Sequence, residues 1–156
     1  MYRSMKMPLA AAAVMLLAAL PALAEPANRT AAVALAERAV GHVKKVGVQA
    51  ACKDFANKDG EFIQGELYVF VQDSRSVMIC HGINARINGK DVSEQKDING
   101  KQFAKELTTL VMAQGSGWTD YVFVNPVTQK LEAKSTFGKK IDDLTWLGVG
   151  TYRKDK

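Results

Sequence analysis

Apolar residues recur at three- and four-residue intervals after Thr30: Val33, Ala36, Val40 and Val43 form one stripe, and Leu35, Ala39 and Val46 widen it. This spacing predicts a long helix capped by Thr30 and buried over much of its girth. Lys44 and Lys45 suit its C-terminal end, and Gly47 suits a left-handed cap just beyond. Val48, Cys52 and Phe55 share a face of a second, shorter helix, and Asn57-Lys58-Asp59-Gly60 reads as a loop. The period then falls to two. Residues 67–71 and 77–81 read as strands joined by the turn Asp73-Ser74-Arg75-Ser76. Alternation puts Tyr68 and Phe70 on one face and Leu67, Val69 and Val71 on the other, while Val77, Ile79 and His81 oppose Met78 and Cys80. Residues 82–101 are polar and rich in turn formers. Phe103, Leu107, Leu110 and Val111 define an amphipathic helix that stops before Gly115. Three further strands, 118–124, 130–137 and 146–152, complete the chain, with Asn125-Pro126-Val127-Thr128 turning between the first two.

Helix, two strands, a helical and loop insert, then three strands amount to an α+β fold: a five-stranded antiparallel sheet flanked by helices. No repeat, low-complexity tract or second domain interrupts the pattern. The first 24 residues stand apart from it. Arg3 and Lys6 precede an apolar run from Leu9 to Leu20, Pro21 breaks the run, and Ala22-Leu23-Ala24 offers a small-x-small site before Glu25. The run is about a dozen residues, short of the ~20 of a spanning helix. The expectation is a cleaved secretory signal over residues 1–24 and one domain over 25–156 with no membrane span, exported to the periplasm or beyond. No cysteine follows the cleavage site to carry a lipid.

Cleavage leaves 132 of the 156 residues and takes the basic count from 21 to 19 against 16 acidic residues, a net charge of +3. That charge is small and scattered, without arginine and aromatic interleaving, so nucleic acid is not an expected partner. Cys52 and Cys80 are the only cysteines, and no CxxC or CxxCH occurs. In an oxidising compartment the two invite a disulfide; the other reading is a pair of buried free thiols.

No nucleophile elbow, phosphate loop or dinucleotide fingerprint is present, and Gly148-Val149-Gly150 and Gly115-Ser116-Gly117 read as backbone turns. Two histidines, His42 on a helix and His81 at a strand end, supply no metal-ligand spacing. Asp142-Asp143 reads as a solvated turn. An enzyme is not expected, and neither a metal nor a cofactor is called for.

The run His81-Gly82-Ile83-Asn84-Ala85-Arg86-Ile87-Asn88-Gly89-Lys90-Asp91 is the most informative stretch of the chain. Lys96-Asp97 with Gly100-Lys101, then Gly115-Ser-Gly-Trp-Thr-Asp-Tyr121, Asn125-Pro126 and Lys134-Ser135 follow it in order. This succession, over residues 30–153, resembles a single Cache domain of the second type, the small extracytoplasmic PAS-like sensor module of bacterial receptors. The resemblance implies a PAS-like sheet with the long N-terminal helix behind it, and a ligand held between the concave face and the insert joining strands two and three. A lysine in the fourth strand of such domains meets the ligand's carboxylate, which points to Lys134; on composition alone a solvent-facing lysine is the other reading.

Aromatics line these pockets, which nominates Trp118, Tyr121 and Tyr68. Alternation puts Trp118 and Tyr121 on opposite faces, so one of them serves core packing unless Trp118 precedes the regular strand. Tyr68 is a pocket or a core residue. His81 either donates into the pocket or ends its strand by bonding the following loop. Asn84, Gly89, Lys90 and Asp91 are structural positions of the insert. Ala85 departs from the family, where proline more often follows the asparagine, so the pocket entrance is expected to be less rigid.

The leading expectation is therefore a free-standing periplasmic protein that binds a small organic anion such as a short-chain carboxylate. Because the chain ends at Lys156, soon after the last strand, it is expected to lack its own output module and to present its ligand to a membrane-bound receptor or transporter. The alternative is a ligand-free accessory protein on the same scaffold. Intact mass of the exported protein should place Glu25 first; full-length chain in the membrane fraction would overturn the leader assignment.

Overall fold

The structure, a computed structural model, describes residues 27–153; the expected leader lies outside the described residues. Helix α1 (Ala27–Val46) is followed directly by α2 (Val48–Phe55), the chain turning at Gly47 with φ 83°. α1 begins before Thr30, which therefore lies inside the helix rather than capping it. The strands are β1 (Ile63–Gln64), β2 (Leu67–Asp73), β3 (Met78–His81), β4 (Ser116–Val124), β5 (Leu131–Lys140) and β6 (Thr145–Tyr152). Helix α3 (Phe103–Gln114) precedes β4 and ends at Gly115, left-handed at φ 84°.

The antiparallel sheet has six strands in place of the five expected, in the order β1-β2-β6-β5-β4, and β3 pairs with β2 beyond β1. The additional strand, β1, is two residues long and too short to show a period. Two cores lie on the two faces. Leu67, Val69, Val71, Leu147, Val149 and Phe137 pack against Leu35, Ala36, Ala39 and Val40 of α1. On the other face Tyr68, Phe70, Tyr121 and Trp146 pack against Phe103, Leu107 and Val111 of α3.

Two local irregularities shape the second face. The register of β2 and β3 shifts between Val71 and Gln72, so Cys80 opposes Val71 while Met78 opposes Gln72. The shift turns Met78 onto the α3 face with His81, against simple alternation, and leaves Cys80 on the α1 face. Gly117, Gly138 and Gly148 are consecutive register partners across β4, β5 and β6. A Cβ on them would overlap Leu110 and Val111 of α3 and the ring of Phe70. This row is a valley in which α3 lies close to the sheet. Gly148 and Gly150 are thus mid-strand contact positions and not turns.

Cys52 of α2 and Cys80 of β3 are joined by a disulfide with Cα atoms 5.9 Å apart, closing a loop of sequence separation 28. Reduction, or Cys52→Ser with Cys80→Ser, should lower stability by about 3 kcal/mol. Denaturant unfolding of the oxidised and reduced protein measures this; superimposable curves would show that the bridge constrains nothing.

Candidate ligand site

The site grows from three cross-strand rows on the α3 face. The first carries Gly148 opposite Phe70 and Phe70 opposite His81. The second pairs Thr119, Thr136 and Gly150; the third pairs Tyr121, Lys134 and Tyr152. Lys134 starts on β5, yet its Nζ donates to the Tyr68 hydroxyl on β2 at 2.7 Å, crossing the whole width of β6. It crosses at Gly150, where a Cβ would overlap Lys134 Cε. The missing side chain of one residue is what lets the lysine lie flat across the sheet.

The ammonium ends in an aromatic box and is 1% exposed. It stands 4.7 Å from the Tyr68 ring centroid, 4.9 Å from Tyr152, 5.3 Å from Phe123 and 5.9 Å from Tyr121. Ring faces attract a cation but do not replace its hydration. Burial accordingly lowers Lys134 to about 7, with Glu66 pulling weakly the other way. The surrounding phenols are pushed above their ordinary range chiefly by burial and stay neutral. Tyr152 adds to the upward push on Tyr68, and its own hydroxyl donates to the Val124 carbonyl at 2.8 Å. The Tyr121 hydroxyl is held by Thr136 at 2.9 Å.

His81 closes one side, its ring 4.9 Å from Tyr68 and 5.9 Å from Phe70. Its Nδ1 accepts from the backbone amides of Asn84 at 3.2 Å and Ile83 at 3.4 Å, which leaves the proton on Nε2. Burial first, then the Lys134 charge, lowers its pKa to about 4, so it is a neutral donor at physiological pH. The two readings of His81 therefore coexist: one ring nitrogen ends the strand by holding the loop, while the ring itself lines the cavity.

Between these groups lies a cavity of about 40 Å³ whose walls include Tyr68, Gln72, Met78, His81, Tyr121 and Lys134. α3 contributes Phe103, stacked on Tyr121 at 4.1 Å, and the insert contributes Ile87 and Gln95. Exposed Gln95 marks the mouth. The insert is sewn down at both ends. Gly89 and Lys90 exchange backbone bonds with Met78. The Asp97 carboxylate accepts from the amides of Asn99, Lys101 and Val122, and Lys101 Nζ donates to the Asp120 carbonyl at 2.7 Å. Asn84 caps the short 3₁₀ turn Ala85–Ile87, whose first position is the one where a proline would fit without strain.

Of the residues expected at the site, Lys134, Tyr121, Tyr68 and His81 converge on the cavity. Trp118 does not. It lies on the α1 face against Phe137, under the guanidinium of Arg29 at 4.2 Å. Alternation across β4 required this, since Trp118 belongs to the regular strand. Phe123, Gln72, Met78 and Gly150 were not expected at the site. The alternate glycines of β6 were a readable sign of close approach on one face, whereas Met78 depends on the β-bulge, which leaves no mark in composition. A wider groove of about 430 Å³ is lined by Arg29, Asp120, Ser135, Thr151 and Arg153. There Arg29 and Ser135 pair with Asp120, and Thr151 with Glu66. The small cavity is the one that holds the buried Lys134 ammonium.

Comparison with known proteins agrees with this architecture. A methyl-accepting chemotaxis protein from Vibrio parahaemolyticus superposes with a TM-score of 0.69 at 21% identity, over 80% of this chain and 87% of that one. The periplasmic sensor domain of a chemotaxis protein gives 0.60 at 26% identity, over 80% and 90%. A Cache chemosensory domain, described for its carboxylic acid recognition, gives 0.63 at 24% identity, over 80% and 88%. Residues 41–155 match the family model of single Cache domain 2. The chain belongs to the single Cache domain 2 family, whose members are extracytoplasmic sensor domains.

Proposed function

We propose that this Cache domain binds a small organic anion, a short-chain carboxylate, in the cavity beside Lys134, as an exported binding protein and not as an enzyme. The carrying observation is a buried ammonium whose hydrogen-bond partner among the described residues is a tyrosine hydroxyl, at the wall of a cavity. Such a charge is costly until an anion pairs with it. A carboxylate beside Nζ would accept charge-assisted bonds from Lys134, with further donation from His81 Nε2. The cavity of about 40 Å³ has room for a few waters, which fits a ligand of few heavy atoms with a short apolar tail toward Met78 and Phe70. The carboxylic acid recognition described for a related Cache domain is in keeping with this chemistry.

Among the described residues no helix is long and apolar enough to cross a membrane. A membrane-bound receptor or transporter is the partner this reading calls for. A second reading, an accessory protein without a ligand, draws on the aromatic box, which already surrounds the ammonium with four rings.

A thermal-shift screen of short carboxylates, amino acids and purines separates the two, since a ligand at a hundredfold its Kd stabilises by about 2.7 kcal/mol. Stabilisation by none of them would favour the accessory reading. Lys134→Ala should cost about 2–4 kcal/mol of affinity for the carboxylate that binds, with unliganded stability unchanged or slightly higher. Gly150→Ala keeps the charge but displaces the lysine stem, and should destabilise the protein by about 1–3 kcal/mol and weaken binding. Gly41→Ala, in open space on α1, should leave binding intact and raise stability by up to about 1 kcal/mol. Equal affinities for wild type and Lys134→Ala, measured by calorimetry, would sink the assignment.

A further inference from the structure

The surroundings of Lys134 give its ammonium a hydroxyl acceptor and four ring faces, but no ion pair among the described residues. From β2 it meets the Tyr68 hydroxyl, from β4 Tyr121, from β6 Tyr152 and from β3 His81, all neutral when the pocket is empty. Two carboxylates approach from the sides. Glu66, in the turn before β2, is occupied by the Tyr152 amide at 3.1 Å, Thr151 Oγ1 at 3.3 Å and the Asn125 side chain at 3.4 Å. Glu132, two residues before Lys134 on β5, holds Asn125 Nδ2 at 2.8 Å and the Thr128 hydroxyl. Glu66 is the carboxylate whose charge acts on Lys134, and it does so without an ion pair between the two. α3 and the insert bring only uncharged side chains to the cavity.

Resting on the anion-binding reading above, we propose that the pocket takes up a monovalent organic anion together with one proton, so that in net terms it binds the neutral acid. The empty pocket is unfavourable to the ammonium because nothing in it carries the opposite charge. An anion seated beside Nζ supplies that charge and draws a proton onto Lys134 from solvent. By linkage the converse holds with the same factor: a proton on Lys134 strengthens anion binding as much as the anion strengthens proton binding. The ligand's own carboxyl remains ionised throughout the relevant range, because it titrates near the ordinary carboxylate value of about 4. The proton therefore resides on the lysine and no bond of the ligand changes.

The sign follows from the direction of the shift. Burial holds the empty pocket's lysine down, to about 7, and the anion raises it. Below that value the lysine is already charged and affinity is flat. Above it each binding event takes up a proton, and affinity falls about tenfold per pH unit until the liganded lysine itself begins to titrate. His81 loses its charge near 4 and does not enter this window. One buried positive charge also sets the valence. A dicarboxylate would bring a second negative charge with no partner in the cavity, and an amino acid would bring a second ammonium beside that of Lys134.

Two measurements on the wild-type protein test this. The first follows Lys134 by carbon-13 NMR of its Cε in the ligand-free protein between pH 5 and 11; the expected midpoint lies near 7, and a midpoint in the ordinary lysine range overturns the proposal. The second is calorimetric titration with acetate, propionate and pyruvate from pH 6 to pH 9, in buffers of different ionisation enthalpy. Expected are a flat affinity near pH 6, a loss of about tenfold between pH 8 and pH 9, and uptake approaching one proton per ligand. Tight binding with a flat profile and no proton uptake overturns the coupling while leaving the anion-binding reading standing. Binding by none of the three at pH 6 removes that reading, and the coupling with it.

Discussion

Taking an ammonium out of water costs several kcal/mol even after a protein relaxes around it, and this sheet buries one almost completely. The features nearest the site make sense as responses to that cost. Gly150 gives the lysine stem a path across β6, and Tyr68 supplies an acceptor at its end. Tyr152, the register partner of Lys134, is fixed by the Val124 carbonyl. The ring faces of the box soften the desolvation without satisfying the remaining donors. All of these groups stand on strands, so their positions are as exact as the sheet register, and the unsatisfied part of the lysine is aimed at one small volume.

The sheet divides its labour between its faces. The α1 face is aliphatic and close-packed, and it carries the disulfide from α2 to β3. The α3 face is aromatic, with a glycine valley and a polar cavity. The two meet at neighbouring residues of β4. Tyr121 closes the cavity, while Asp120 beside it pairs with Arg29 in the first turns of α1 and with Ser135 of β5. Tyr121 and Asp120 hang from one backbone whose carbonyl and amide groups are also held by Lys101 and Asp97 of the insert. Pocket, insert and long helix are joined at that single stretch of strand.

Period and alternation were enough to read most of this architecture. The helical stripe of α1, the strict two-residue period of β2 and the left-handed stop at Gly115 all survive in the fold because each is decided locally. Lys134 is singled out by the Cache resemblance, since composition alone fits a solvent-facing lysine; its burial is decided by the pairing that sets Gly150 beside its stem. What escaped was decided by pairing. Met78 reaches the cavity through a bulge that depends on how β3 meets β2. The glycine valley exists only once Gly117, Gly138 and Gly148 stand side by side, although they are far apart along the chain. Trp118 was settled by its own parity, and there the rule of alternation outweighed the pull of an aromatic residue in a familiar motif.

The insert lines the cavity with turns, where strands and helix α3 supply its other described walls. Its anchors differ in kind. At β3 it is held by backbone bonds between Met78 and residues 89–90, and at β4 by the half-buried side chains of Asp97 and Lys101. Side-chain bonds within reach of water compete with it more than backbone pairing does. Ala85 lies in the short turn just before Ile87, near the end held by backbone bonds, so a proline there would stiffen a part of the insert that pairing already fixes.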